Sequence, residues 1–293
     1  NLPMDTGPEG RMVPHDLPAV IDAHVHVFPD SIFGAVRRWF VAHAWRNRYE
    51  LSTREVFAFL LDHGVRHVVA LQYAHKPGIA RDLNQYMAAQ SAPFGGRVTG
   101  MATVFPGEDG AVEILQEAFD LGLSGVKLHA HVQCFDIGSD EMAAIFEICQ
   151  ARGKPMVIHF GTEPKSEAYP CDPYEICRAE RMETVLTRYT ELKICVPHLG
   201  FGELSAYREM IERHDNLWLD TTMALTDYFS MPDTVELAGY RLDRIMYGSD
   251  FPNIPFAWDR ELKHLQKAGL PTSDLGKVLH KNAAAFFDLD SIT

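Results

Sequence analysis

Two histidines stand two residues apart near the start of the sequence. They are His24 and His26 in the stretch AVIDAHVHV, an apolar segment typical of a buried strand. In a strand, residues i and i+2 point to the same side, so the two imidazoles project together. Two imidazoles in this position can bind one metal ion, although histidines also occur in ordinary protein cores. The pair therefore suggests a metal site and needs support from other residues.

Three further residues with metal-binding side chains end other apolar segments. His159 ends PMVIHF, His198 ends LKICVPH and Asp250 ends RIMYGSD, each before a turn that contains glycine or proline. Imidazole and carboxylate together suit zinc and related first-row metals, and three or four such ligands leave a position for water or substrate. Together with the histidine pair, these residues predict a divalent metal site.

The elements that must position these residues are eight short apolar runs with helix-like segments between them. The clearest helical segment is SDEMAAIFEICQARG, with Ser139 as its predicted N-cap and Gly153 as its stop. Strands and helices that alternate over about 250 residues predict an α/β fold, a closed (β/α)8 TIM barrel of the metal-dependent hydrolase type. The predicted strands cover residues 19–27, 67–73, 98–105, 125–132, 155–160, 192–198, 217–222 and 244–250.

The domain organisation follows from composition and spacing. Residues 1–17 contain three prolines and two glycines, which predicts an irregular N-terminal arm, and residues 18–293 are expected to form a single barrel domain. Two connections, 28–64 and 161–178, are longer than the usual βα loop of about 2–6 residues. Both follow the carboxyl end of a strand, where barrels build active sites, so we expect substrate walls or a lid. Packing elaboration is the alternative for both.

Charge and composition limit the partners. The formal net charge of −13, from 40 acidic and 27 basic residues, opposes binding to nucleic acid or to anionic membranes and favours a small-molecule substrate. No run of about 18 uncharged apolar residues is present, and the start has no basic segment followed by an apolar one. Five widely spaced cysteines favour reduced thiols, so we expect a cytoplasmic protein. A homo-oligomer remains open.

The HVH motif, the histidines at the ends of the fifth and sixth strands and the GSD aspartate resemble the amidohydrolase superfamily of metal-dependent barrels. The resemblance covers residues 19–289, and HVHVFP with YGSDFPN is similar to the branch that contains aminocarboxymuconate-semialdehyde decarboxylase. It implies one divalent ion, with Zn²⁺ expected and two ions possible. The implied ligands are His24, His26, His159 and Asp250. His198 matches a histidine that binds a second metal or acts beside the first.

Further candidates come from the fourth strand and from the loops. In two-metal members of the superfamily a fourth-strand lysine is carboxylated and bridges both ions, and GVKL is similar to that setting, which implies this role for Lys127 only if it is carboxylated. A buried lysine paired with a strand acid is the alternative. His129 and His131 are expected to share the face of Lys127 and to contact substrate. The other candidates for substrate contact are Arg46, Arg178 and Tyr73.

These residues lead to two main functional hypotheses. The first is a metal-dependent hydrolase that cleaves a C–N or C–O bond, such as an amide or lactone, with metal-activated water. Asp250 would then move the proton and His198 would stabilise or protonate the oxyanion. The second is a non-oxidative decarboxylase or hydratase of a small aromatic or unsaturated carboxylic acid. A non-catalytic metal-binding barrel is a remote third hypothesis, and a TatD-like nuclease is disfavoured by the negative charge.

Overall fold

All eight apolar runs contain a strand, and each strand is shorter than the run that predicts it. The strands are β1 (Ile21–His26), β2 (His67–Leu71), β3 (Val98–Gly100), β4 (Val126–His129), β5 (Met156–His159), β6 (Ile194–Val196), β7 (Leu217–Asp220) and β8 (Ile245–Met246). The predicted strand 125–132 ends at His129, where the helical turn α5 (Ala130–Gln133) begins. The prediction that His131 shares a strand face with Lys127 is therefore wrong, since His131 lies on that turn.

The computed structural model describes residues 2–162, 166–229 and 235–289. They belong to two compact units, and we describe each unit by itself. The first unit is drawn from Asn1–Ala70, Ala92–Thr99 and Thr221–Thr293, and the second from Leu71–Ser91 and Gly100–Asp220. A single domain over residues 18–293 stays a prediction.

In the first unit, β1 is the strand that positions the HVH motif. The strands β1, β2 and β3 are hydrogen-bonded in that order, and all six residues of β1 are buried, as expected for a parallel strand covered on both faces. On its other side β1 pairs with the chain around β8, because Ala23 N donates to Tyr247 O at 3.0 Å and His26 N donates to Phe251 O at 2.8 Å. This pairing brings the GSD segment beside the HVH motif.

In the second unit, β4, β5, β6 and β7 form parallel neighbours in chain order. The register of the first pair sets Lys127 opposite Val157 and His129 opposite His159. Because paired residues of neighbouring strands point to the same face, the side chains of His129 and His159 lie side by side at the carboxyl ends of their strands.

The helix predicted from SDEMAAIFEICQARG is α6 (Asp140–Ala151). The hydroxyl of Ser139 accepts a hydrogen bond from Met142 N at 3.3 Å, which confirms the predicted cap, and the apolar residues on one face of the helix are buried: Met142, Ile145, Phe146 and Cys149. The remaining helices are α1 (Asp30–His43), α2 (Thr53–Asp62), α3 (Ala80–Ser91), α4 (Ala111–Asp120), α7 (Pro173–Ile176), α8 (Ala179–Arg188), α9 (Leu204–Arg213), α10 (Arg260–Lys267), α11 (Thr272–Gly276) and α12 (Asn282–Phe287). Short 3₁₀ turns cover Ala92–Phe94, Leu237–Gly239 and Leu242–Arg244, and a π turn covers Lys277–Lys281.

The arm and the two long connections have distinct structures. Residues 2–17 contain no helix within the described chain, but the arm is bonded to the first unit: Arg48 Nη1 donates to Asp5 O and Gly7 O at 3.0 and 2.8 Å, and Trp258 Nε1 donates to Gly10 O at 3.0 Å. The connection 28–64 holds α1 and α2. The connection 161–178 holds the short α7, and its residues 163–165 lie outside the described residues.

Candidate functional site

The first unit brings together His24, His26 and Asp250, which we call the β1 triad. The Nε2 atoms of the two histidines are 3.2 Å apart. Asp250 Oδ1 lies 3.4 Å from His24 Nε2 and 3.0 Å from His26 Nε2. All three side chains are buried. One nitrogen or oxygen atom from each residue therefore points to a common position.

The spacing of these three atoms fits a metal ion. In a tetrahedral site with metal–ligand bonds of about 2.0–2.1 Å, neighbouring ligand atoms are about 3.3 Å apart. The observed separations of 3.0–3.4 Å match this value without any movement of the side chains. The two imidazole rings are inclined at 65°, so their in-plane lone pairs can converge on one point. The β1 triad is thus shaped as three ligands of one ion.

Asp22 connects the strand that carries His24 and His26 to the turn that carries Asp250. Its Oδ1 accepts hydrogen bonds from His24 N at 3.2 Å and Ser249 N at 3.0 Å, and its Oδ2 accepts one from Ser249 Oγ at 2.5 Å. The side chain of Asp22 is fully buried, where charge-assisted hydrogen bonds are strongest. The carboxylate therefore fixes the turn that carries Asp250 against the strand that carries the histidines.

The turn itself depends on a glycine and on an uncommon backbone conformation. Asp250 has φ +66°, and its N–H donates to His24 O at 2.9 Å. A Cβ atom at Gly248 would lie 2.4 Å from Thr222 Oγ1 and 2.6 Å from the Cβ of His24. Because such distances are far below van der Waals contact, only glycine lets the chain approach β1 this closely.

The second unit gathers four histidines, His129, His131, His159 and His198, which we call the histidine stack. The rings of His129 and His159 are stacked, with centroids 3.9 Å apart and planes inclined at 14°. His131 meets the ring of His159 edge-on at 5.0 Å, and its Nε2 lies 2.8 Å from Gly161 O. His198 Nε2 lies 3.2 Å from His159 Nδ1. His129 and His131 are buried, whereas His159 and His198 are partly exposed.

The histidine stack is a poorer metal site than the β1 triad. Ligand atoms of His129, His131 and His159 all lie within 4.8 Å of one another, which would permit an ion by distance alone. However, a nitrogen lone pair lies in the plane of its ring, and two nearly parallel rings 3.9 Å apart cannot both direct lone pairs at an ion about 2 Å from each. The paired rings of the stack therefore do not converge on one ion as the atoms of the β1 triad do.

Asp220, at the end of β7, holds the turn that carries His198. His198 and Leu199 both have positive φ values, +58° and +55°. The carboxylate of Asp220 accepts a hydrogen bond from His198 N at 3.0 Å, and its backbone carbonyl accepts one from Leu199 N at 2.8 Å. Neither residue is glycine, so the left-handed turn costs about 1–2 kcal/mol per residue, which these bonds offset. Asp220 is therefore the counterpart of Asp22 in the second unit.

Lys127 is fully buried on β4, near enough to Cys195 for its charge to act on that thiol. Cys195 Sγ lies 3.9 Å from Asp220 Oδ2. Burial and the Asp220 carboxylate raise the pKa of the Cys195 thiol, and the positive charge of Lys127 acts in the opposite direction. The environment of Lys127 thus includes a buried thiol.

The predicted substrate contacts differ in their surroundings. Tyr73 is buried, and its ring lies 4.9 Å from the ring of His129. Arg46 is exposed on the first unit, and Arg178 is exposed at the start of α8, where its Nε donates to Tyr174 O at 3.0 Å. The two arginines stay predictions as substrate contacts.

Sequence reasoning missed three residues that shape the two clusters: Asp220, Ser249 and Gly248. The available signals were an acid at the end of the LWLD strand and the small residues before the aspartate of GSD. Asp22 lies two residues before His24, on the same face of the strand, and the structure adds its hydrogen-bond partners.

None of the helices in the described part of the chain has the length and apolarity needed to cross a bilayer.

Comparison with solved structures identifies the fold. A TIM-barrel protein of Bordetella bronchiseptica matches with 16% identity and a TM-score of 0.67, over 93% of this chain and 99% of that one. A 5-carboxyvanillate decarboxylase of Novosphingobium aromaticivorans, in complex with manganese, matches with 16% identity and a TM-score of 0.66, over 97% of this chain and 100% of that one. A probable 2-pyrone-4,6-dicarboxylic acid hydrolase of Acinetobacter baumannii, with bound citric acid, matches with 14% identity and a TM-score of 0.63, over 92% and 100%. The predicted (β/α)8 TIM-barrel fold class is confirmed.

The sequence comparisons identify the family. No curated protein matches the chain significantly. The amidohydrolase family profile matches residues 21–289, which contain the β1 triad and the histidine stack. The resemblance predicted from HVH and GSD is thereby confirmed, and the chain belongs to the amidohydrolase family.

Proposed function

We propose that the chain is a metal-dependent hydrolase acting on a C–N or C–O bond of a small molecule, such as an amide or a lactone. The observation that carries this proposal is the convergence of His24 Nε2, His26 Nε2 and Asp250 Oδ1, 3.0–3.4 Å apart and buried. When bound there, a divalent ion would supply a Lewis acid that polarises a substrate oxygen and acidifies water.

The identity and number of the ions are part of the proposal. We assign one Zn²⁺ per chain to the β1 triad, since imidazole and carboxylate ligands suit zinc. The sequence resemblance adds His159 as a further ligand, and it allows a second ion near His198. The manganese in the similar decarboxylase makes Mn²⁺ the ion to test against zinc.

Two residues are assigned to proton transfer. Asp250 Oδ1 lies beside Nε2 of both histidines, so we assign the carboxylate of Asp250 to accept a proton from the attacking water and to pass it to the leaving group. His198 is partly exposed and its Nε2 lies beside His159 Nδ1, so we assign it to stabilise or protonate the oxyanion of the substrate. The buried pair Tyr73 and His129 is the proposed aromatic wall of the substrate site.

A decarboxylase or hydratase of a small aromatic or unsaturated acid is the second candidate. The likeness to 5-carboxyvanillate decarboxylase favours it. In this candidate Lys127 is a buried lysine paired with a strand acid, the alternative to a carboxylated bridge between two ions. In this reaction His198 or Asp250 would protonate the carbon that loses CO₂.

The two candidates differ in what they consume and release. We would load the purified protein with Zn²⁺ or Mn²⁺, determine metal per chain, and screen amides, lactones and aromatic acids in H₂¹⁸O and in D₂O. Hydrolysis incorporates ¹⁸O into product without CO₂, whereas decarboxylation releases CO₂ and places deuterium on carbon. Release of CO₂ together with an organic product that contains no ¹⁸O would replace the first candidate by the second. Metal-loaded protein that is inert to the whole panel would support the non-catalytic barrel.

The partners and location follow from the same proposal. The substrate is a small molecule, and the net charge of −13 supports the absence of nucleic-acid and membrane partners. We propose a cytoplasmic location, because five widely spaced cysteines favour a compartment in which most thiols are reduced. Chromatography of the native protein at two concentrations would decide whether it is a homo-oligomer.

A further inference from the structure

Two half-buried thiols lie against each other in the second unit. Cys134 Sγ and Cys171 Sγ are 2.7 Å apart. Cys134 ends α5 in the left-handed region with φ +51°, and Cys171 belongs to the connection after β5. The other three cysteines, Cys149, Cys177 and Cys195, are buried. The first two thiols are therefore the ones that a dissolved reagent can reach.

The geometry of this thiol pair approaches that of a covalent bond. A disulfide requires sulfur atoms about 2.05 Å apart, so the pair needs a shift of less than about 1 Å to close. The carbonyl oxygen of His131 lies 3.3 Å from Cys134 Sγ and 3.5 Å from Cys171 Sγ, so both sulfur atoms are held at one point of the backbone. The pair thus adjoins the histidine stack.

We propose that Cys134 and Cys171 form a thiol–disulfide modification site that fixes the connection after β5 to the turn carrying His131. The reagent is a low-molecular-weight disulfide of the glutathione class. The thiolate of Cys171 attacks one sulfur of the reagent, its S–S bond breaks, and one thiol leaves. The thiolate of Cys134 then attacks the Cys171 sulfur of the mixed disulfide, and the second thiol leaves. The net reaction oxidises two cysteines and reduces one reagent disulfide to two thiols.

The order of the two steps follows from the surroundings of Cys134. Its Sγ lies 2.7 Å from Cys171 Sγ. Burial, together with the contact to Cys171, raises the pKa of the Cys134 thiol. Cys171 is therefore the attacking residue and Cys134 the residue that resolves the mixed disulfide.

The Cys134–Cys171 disulfide would restrain the connection after β5, which already contacts His131. The ring of Tyr169 lies 5.3 Å from the ring of His131, and Gly161 O lies 2.8 Å from His131 Nε2. A disulfide two residues beyond Tyr169 would add a covalent, reducible restraint to these contacts and hold the loop against that histidine. Oxidation therefore acts on the conformation of the loop 166–178.

Thiol counting and peptide mapping test the site without any substrate. Incubation with oxidised glutathione should lower the total number of free thiols per chain, counted after denaturation, from five to three. Non-reducing mass spectrometry should find Cys134 joined to Cys171. In Cys134→Ser the mixed disulfide should persist on Cys171, whereas the matched variant Cys149→Ala should still form the link. Five remaining thiols, a link between other cysteines, or a persistent mixed disulfide in the wild-type protein would overturn the proposal.

Hydrogen exchange tests the consequence for the loop. Amide exchange in residues 166–178 should slow about 10-fold on oxidation and recover on reduction, while exchange in α9 stays unchanged. Unchanged exchange in the loop despite a Cys134–Cys171 link would overturn the proposed closure. These readouts depend neither on metal nor on turnover, so they are independent of the proposed function.

Discussion

The β1 triad and the histidine stack both draw imidazoles from the carboxyl-terminal parts of parallel strands and the turns that follow, yet their rings are oriented differently. In the triad, two rings inclined at 65° and one carboxylate direct their atoms to a common point. In the stack, the two paired rings are nearly parallel. Ligand type and distance are therefore insufficient to define a metal site, because the lone pairs must also converge.

A second contrast lies in the carboxylates that support the clusters. Asp22 joins two chain segments that are 227 residues apart in sequence, whereas Asp220 holds a turn only 22 residues before it. Both are buried, and both accept hydrogen bonds from the backbone of a cluster residue. Asp22 positions the proposed metal ligands of the β1 triad, whereas Asp220 positions His198, which is proposed to stabilise or protonate the substrate oxyanion.

Removing the histidines of each cluster should give the largest difference. The double variant His24→Ala/His26→Ala should lower Zn²⁺ affinity more than about 100-fold, because two of the converging ligands are lost. His129→Ala/His131→Ala should keep the affinity within about threefold, since stacked rings do not share an ion. Titration calorimetry with Zn²⁺ and metal analysis after dialysis measure both. Metal loss in the second variant but not in the first would reverse the assignment of the two clusters.

Neutralising the supporting carboxylates should separate metal binding from stability. Asp22→Asn should lower metal affinity about 10–100-fold, because the backbone of His24 and the GSD turn lose an ionised acceptor. Asp220→Asn should leave metal affinity unchanged, and each variant should lose about 1–3 kcal/mol of unfolding free energy. Calorimetry and urea unfolding provide the two readouts, with the exposed Asp109→Asn as the control. Equal metal affinities in both variants would show that Asp22 has no positioning role.

Filling the space at Gly248 should damage the first cluster alone. Gly248→Ala should destabilise the protein by about 3 kcal/mol, because its Cβ would meet Thr222 and His24. Gly276→Ala is the matched control, since it has helical φ and no atom within 4 Å of the added Cβ. Thermal unfolding of both variants measures the effect. Equal melting temperatures for the two variants would mean that the turn has room that the structure does not show.

The smallest expected effect concerns His67, a buried histidine that belongs to neither cluster. Burial lowers the pKa of His67 from 6.5 to about 4. Between these pH values the unfolded chain binds a proton that the folded chain does not, so its contribution is complete above pH 6.5 and is lost as the pH falls towards 4. Unfolding at pH 7 and 4.5 should show about 2 kcal/mol less acid destabilisation in His67→Gln than in wild type. Identical pH dependence would exclude His67 as the cause.

Much of the fold could be predicted because its signals are local. Apolar runs of strand length and the stripe of α6 with its Ser139 cap predict elements that the structure confirms. The ends of the strands were predicted less well. His131 leaves the strand because a helical turn begins at Ala130, and the sequence HAHV alternates as a strand would. Alternating polar and apolar residues cannot show that the backbone from Ala130 onwards is hydrogen-bonded within a helical turn and no longer to a neighbouring strand.

The sequence by itself determined which chemistry is present: imidazoles at i and i+2 of a strand, and a histidine or an aspartate at the end of other strands. The period of two residues is enough to place His24 and His26 on one face. Only the tertiary structure decided how the rings meet, since this depends on strand register, on positive-φ turns at His198 and Asp250, and on the space left by Gly248. These are contacts between distant residues, and they make one group of histidines a convergent metal site and the other a stack.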